Sequence, residues 1–167
     1  MTRAEPHPLD ALPVHPGGPR TVVRRLVVDG LVARRLELTP ADLAALPLAE
    51  ASDDFRCLEG WSVPGLYWRD VAVATLLDMA GVDAMARSVQ ASAGEFSVLL
   101  TIDEARRALL ATQLDDRPLA PEHGSPVRLV LPGVDCYTSI IWLDLIELRA
   151  NPGPNTGREI ALGRLAR

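Results

Sequence analysis

Two sulfur atoms define the chemistry open to this chain, those of Cys57 and Cys136. Two cysteines this far apart make neither a disulfide framework nor a zinc-ligand spacing. Each therefore stands as a buried apolar thiol, a nucleophile or a ligand to a soft metal. Cys57 has the more suggestive setting. Phe55, Arg56, Cys57, Trp61, Tyr67 and Trp68 lie within fourteen positions, and that stretch holds four of the seven aromatics in the chain. Gly60, Pro64 and Gly65 interrupt it, so residues 52–68 read as an irregular site loop and not as a periodic core element. The second reactive stretch is Glu122-His123-Gly124-Ser125-Pro126-Val127-Arg128, where His123 and Arg128 are potential donors to an anion. Without further context they are equally a loop-stabilising histidine and a strand-edge arginine.

The elements around these residues suggest an α+β domain. Thr21–Val28 and Arg34–Leu38 are β-rich and separated by Asp29-Gly30, a turn signal. Thr39-Pro40-Ala41-Asp42 opens a short helix, with Thr39 as cap and Pro40 in its first position. Val71–Ala80 has helical apolar spacing and stops at Gly81. Val89–Ser92 and Phe96–Leu99 are strands about a turn at Ala93-Gly94. Ile102–Gln113 is expected to be helical, with Thr101 and Glu104 forming a capping box. Pro118–Pro126 reads as a loop, Val127–Leu131 as a strand ending at Pro132-Gly133, and Ser139–Arg149 as one long strand or two. Helices and strands mix without a βαβ period, which argues against a doubly wound sheet. No glycine-rich phosphate loop is present.

Composition sets outer bounds. The 167 residues fit one domain, and 48% hydrophobic residues are enough for one core. A net charge of -5 with no basic run longer than two gives no support for nucleic-acid binding, although it leaves room for a local anion site. No apolar run of membrane-spanning length occurs. Residues 1–20, with five prolines, read as a flexible N-terminal tail in which His7 and His15 are solvated. Arg24-Arg25 reads as a solvated strand edge and not as an export signal. The expected organisation is a tail at 1–20, a domain at 21–150, and a C-terminal tail at 151–167 that extends from the domain or drapes over it. A cytoplasmic location is expected.

Phe55-Arg56-Cys57-Leu58-Glu59-Gly60-Trp61-Ser62, followed by Trp68, resembles the molybdenum-ligand loop of the sulfite oxidase family, in particular its methionine-sulfoxide reductase branch. The segment His123-Gly124-Ser125-Pro126-Val127-Arg128 through Pro132-Gly133 resembles that family's pterin-contacting segment. Trp142 falls where a family motif ends, and Val28–Val32 with Leu38–Leu43 resemble its first strand pair and helix. The resemblance covers residues 24–148. It implies a sulfite-oxidase-like molybdopterin-binding fold of mixed sheets and short helices, with molybdenum-molybdopterin as cofactor. It further implies Cys57 as the catalytic metal ligand, and Arg56, Trp61, Ser62, His123 and Arg128 as cofactor contacts. The implied activity is oxygen-atom transfer with a small sulfite-like or sulfoxide-like substrate and an unidentified electron partner.

This sequence also departs from the family pattern. Cys136 stands where a glycine is usual and is expected to be a bland buried thiol. Thr138 and Ile141 replace basic residues, Asp70 replaces a glycine, and no upstream Arg-Asn-His-like element is visible. The chain is too short to hold a family-style dimer domain or haem domain as well. These losses motivate an alternative, a cofactor-free relative acting as a binding module. A fold that puts Cys57 and residues 123–128 on opposite faces would exclude a shared site.

Overall fold

A computed structural model describes residues 25–166 of the chain. Among these residues ten strands form two sheets. The first takes the order β2 (Leu36–Leu38), β1 (Leu26–Gly30), β10 (Leu145–Arg149), β5 (Ser88–Ala93), β6 (Phe96–Thr101). Only β1 and β10 run parallel; the other pairs in this sheet are antiparallel. The second sheet runs β3 (Ala49–Arg56), β4 (Ser62–Ala72), β7 (Leu109–Leu114), β8 (Arg117–Pro118), and β9 (Arg128–Val130) also pairs with β7. Four short α-helices lie among the described residues: α1 (Pro40–Ala44), α2 (Val73–Ala80), α3 (Ile102–Arg107) and α4 (Thr156–Leu165).

Local chemistry explains the helix starts. Thr39 and Asp42 form a reciprocal capping box with Pro40 in the first turn, and Thr101 and Glu104 form a second. In α2, Val73, Leu76, Leu77 and Ala80 are buried, the spacing of one helical face, and the α2 C-cap is Gly81 at φ 70°.

The strands of the second sheet separate two cores by their period of two. Val71 of β4, Leu110 of β7 and Leu129 of β9 join the large cluster shared with the first sheet and α2. Leu66 and Trp68 of β4, Leu109 and Ala111 of β7 and Val130 of β9 face the opposite way, into a smaller cluster with Phe55 and Leu119. Arg128 is two residues from Val130 on the same strand and so shares that second face.

Several expectations need correction. Residues 52–68 are not an irregular loop: β3 and β4 form a hairpin, and only residues 57–61 lie between the strands. Its high content of glycine, proline and aromatics reflects one β-bulge and one turn. The helix expected over Ile102–Gln113 ends at Arg107. Ala108 is extended, and Leu109–Leu114 is β7, held between β4 and β9. Leu109, Leu110 and Ala111 are all buried, a pattern only a strand covered on both faces satisfies. The helix expected at Val71 begins at Val73, because Val71 and Ala72 still pair with β7. Only Leu145–Arg149 of the expected Ser139–Arg149 strand is extended ladder. Within the C-terminal tail, expected either to extend from the domain or to drape over it, Thr156–Leu165 is α4, and its Gly157 approaches Phe96 and Val98 of β6. The expected N-terminal tail at 1–20, with His7 and His15, lies outside the described residues.

Gly30 closes the first strand against its parallel neighbour. It has φ 89°, and a Cβ there would sit 2.3 Å from the Leu148 carbonyl oxygen. Both the backbone conformation and the contact exclude a side chain. Gly30→Ala is expected to cost about 2 kcal/mol, lowering the thermal midpoint by roughly 4–8 °C in a melt followed by circular dichroism.

Candidate functional site

The hairpin β3–β4 presents Cys57. A register shift between Asp53 and Phe55 bulges β3, and the Asp54 carboxylate accepts a hydrogen bond from the Gly65 amide at 2.9 Å. Beyond the bulge Phe55 turns into the smaller core. Arg56 is exposed, and Cys57 starts the turn. That turn is closed by the Cys57 amide donating to the Trp61 carbonyl and the Gly60 amide donating to the Cys57 carbonyl, both at 3.0 Å. Gly60 has φ 94°. Trp61 is half-buried and stacks on Phe55 with ring centroids 5.9 Å apart. Ser62 begins β4 with an exposed side chain.

The segment after β9 folds back against this turn. Arg56 forms an isolated parallel bridge with Asp135, and the Gly133 amide donates to the Asp53 carboxylate at 3.2 Å. Residues Cys136–Thr138 then make a 3₁₀ turn. The bridge places Cys136 next to Cys57, near enough for the two thiols to interact. Burial and the neighbouring Cys57 push the Cys136 thiol up to about 12, so Cys136 is protonated at neutral pH. The expectation of a bland buried thiol is therefore corrected. Cys136 is half-buried and shares the site. The sequence offers no signal for this beyond its being the second of two cysteines; the bridge that joins the segments has no sequence signature.

Arg128 supplies the charge. Its side chain enters the smaller core, where the guanidinium lies 5.0 Å from the Phe55 ring centroid and 5.2 Å from that of Trp68. Nη1 donates to the His123 carbonyl at 3.1 Å, while Nε is buried without a hydrogen-bond partner, as is Trp68 Nε1. Among the described residues, no carboxylate forms an ion pair with Arg128. Burial pulls its pKa from the ordinary arginine range down to about 10, and the neighbouring Cys136 partly offsets this. The side chain is still a cation at neutral pH.

His123 reaches the same neighbourhood from the 3₁₀ turn Pro121–His123. The next residue, Gly124, has φ 115°, and a Cβ on it would be 2.9 Å from Ile141 Cγ2. The Trp142 ring nitrogen donates to the Pro121 carbonyl at 2.7 Å and ties the turn to the segment ahead of β10. Asp70, in the place of a usual glycine, is buried and accepts from the Thr112 hydroxyl at 2.7 Å.

Arg128 and Trp61 pack into the smaller aromatic core, the His123 carbonyl accepts from Arg128, and Cys57 lies in the β3–β4 turn next to the bridge to Asp135. Arg56 and Ser62 flank that turn from exposed positions. A cavity of about 300 Å³ opens beside the 133–138 segment, lined in part by Leu99, Glu104, Leu131, Asp135, Tyr137 and Asn155. Cys57, His123 and Arg128 are not on its wall. A buried cation lacking an anion, beside a half-exposed soft thiol, fits a group that carries both an anionic arm and a thiophilic metal.

Comparison with known proteins agrees with this chemistry. Residues 18–156 match the family model described as the oxidoreductase molybdopterin binding domain. The chain is 34% identical over 132 residues to the uncharacterized oxidoreductase YuiH of Bacillus subtilis, covering 77% of this chain and 67% of that protein. It is 26% identical over 162 residues to the protein-methionine-sulfoxide reductase catalytic subunit MsrP of Campylobacter jejuni, covering 82% and 52%. The fold matches the crystal structure of the sulfane dehydrogenase SoxCD from Paracoccus pantotrophus with TM-score 0.74 at 21% identity, over 82% of this chain and 41% of that one. The chain therefore spans between about two fifths and two thirds of these relatives' lengths.

The uncompensated charge has a measurable consequence in the cofactor-free chain. The depression of the Arg128 pKa to about 10 corresponds to a net penalty on its charge on the order of 3 kcal/mol. Arg128→Met removes that penalty while filling the same space between Phe55 and Trp68, at the loss of the two ring contacts. The thermal midpoint of the cofactor-free variant is expected to rise by roughly 2–4 °C, about 1 kcal/mol, in differential scanning calorimetry.

Proposed function

Because the chain belongs to the oxidoreductase molybdopterin-binding domain family, we propose that it holds molybdenum-molybdopterin through Cys57, His123 and Arg128 and serves oxygen-atom transfer to or from a small sulfur-oxygen substrate. When bound, the cofactor supplies a molybdenum centre that exchanges one oxygen atom and two electrons with substrate; the protein's part is to bind, orient and shield it.

The observation that carries this reading is Arg128. A guanidinium enclosed by Phe55 and Trp68, with a free Nε and no carboxylate, is a costly arrangement without an anion to meet it. The phosphate of a pterin cofactor is such an anion, and a guanidinium can meet it with paired N–H donors. The His123 carbonyl holds Arg128 in position by accepting from Nη1. Cys57, at a turn fixed by two backbone hydrogen bonds, contributes the soft thiolate that molybdenum favours. Phe55, Trp61 and Trp68 exclude water on one side. Arg56 and Ser62, both exposed, contact the cofactor from the rim. A binding module without cofactor leaves the buried charge of Arg128 unexplained, which disfavours that alternative.

Thr138 and Ile141 bring no positive charge to the segment facing Cys57, which suits a neutral sulfoxide-like substrate better than a sulfite-like anion. Among the described residues no helix is long and apolar enough to cross a membrane. A cytoplasmic location is part of this reading, since it keeps two adjacent thiols reduced. Electrons come from a partner of unspecified identity.

The test is molybdenum content by elemental analysis of the chain purified from a host that fills other molybdoenzymes. Near-stoichiometric metal is expected in the parent, and a loss of at least about tenfold in Cys57→Ser. Equal metal in both would remove Cys57 from the metal, and none in either would overturn the proposal.

A further inference from the structure

The placement of Cys136 next to Cys57 is not used by the function above. From it we infer that the two cysteines form an oxidation site, closing to an intramolecular disulfide when the cofactor is absent. Three observations carry this. The Arg56–Asp135 bridge sets the backbones preceding the two cysteines side by side. Bridged backbones lie about 4.8 Å apart, and a disulfide needs its Cα atoms about 4.4–6.8 Å apart. The two thiols are near enough to interact. Both cysteines are half-buried, so a small oxidant reaches them.

The chemistry balances with a small-molecule disulfide such as oxidised glutathione as oxidant. The sulfur of one cysteine attacks the glutathione disulfide, forming a mixed disulfide and releasing one glutathione thiolate. The second cysteine attacks the protein sulfur of that adduct, forming the Cys57–Cys136 bond and releasing the second glutathione. Two protein thiols lose two electrons and two protons, and one disulfide is reduced to two thiols. Asp53, which accepts from the Gly133 amide, holds the two segments together during this exchange.

The consequence rests on the metal-ligand reading of Cys57: the bond caps the sulfur that the metal requires, so cofactor loading becomes dependent on thiol reduction. The existence of the bond does not rest on it. The experiment treats the reduced, cofactor-free full chain with oxidised glutathione, blocks residual thiols, and measures thiol content under denaturing conditions together with intact mass. The expected result is a fall from two titratable thiols to none, a mass lower by two hydrogens, a monomer on a non-reducing gel, and recovery of both thiols with dithiothreitol. Cys136→Ala under the same treatment is expected to retain a glutathione adduct on Cys57 and no internal bond. Stable glutathione adducts or covalent dimers in the parent, without the mass of an internal disulfide, would overturn the inference. A parent that forms the bond yet takes up no molybdenum when reduced would sustain it and overturn the metal-ligand reading instead.

Discussion

A buried positive charge organises this molecule. Arg128 occupies a strand position where the neighbours Val127, Leu129 and Val130 are all buried. Its strand period turns it into the smaller core, where two aromatic rings and one carbonyl are its surroundings. Such a placement is unfavourable in isolation, because two rings and a carbonyl do not replace the hydration that a guanidinium loses on burial. Everything adjacent is consistent with an anion completing the arrangement. Gly124 allows the backbone to turn tightly before Arg128, Trp142 pins the 3₁₀ turn that carries His123, and the bulge at Asp54 swings Phe55 beneath the charge. The fold sustains the charge through its larger core, formed by the first sheet and α2 on the opposite side of the second sheet.

The second constraint is the junction between the β3–β4 turn and residues 133–138. Two short links, the Arg56–Asp135 bridge and the Gly133–Asp53 hydrogen bond, bring sequence-distant segments together. They give Cys57 a fixed place relative to Arg128 and, in this chain, also give it a thiol neighbour. The replacement of a small residue by Cys136 changes the immediate surroundings of the metal-ligand candidate more than any other departure from the family pattern.

Much of this is legible in the residues. Both capping boxes, the α2 face and the β5–β6 hairpin follow from local signals that tertiary structure does not oppose. The failures share a cause. Leu109–Leu114 continues a helical pattern in sequence, yet it is the central strand of a sheet, because burial on both faces and pairing to β4 and β9 override propensity. The stretch around Cys57 reads as irregular because its turn and bulge residues stand out, while the hairpin pairing that contains them is not written in any local signal. The proposal that Cys57, His123 and Arg128 serve one site comes from family resemblance, since no local rule joins positions that far apart. The pairing of Cys57 with Cys136 is not accessible at all.

If Arg128 awaits an anion, the cofactor's phosphate must gain affinity from it. Isothermal titration of the reduced, cofactor-free chain with molybdopterin, in the parent and in Arg128→Met, tests this most directly, because it reads the anion contact apart from metal and turnover. Arg128→Met, stably folded, is expected to bind at least about 30-fold more weakly, equivalent to about 2 kcal/mol. Equal affinity in the two proteins would contradict it.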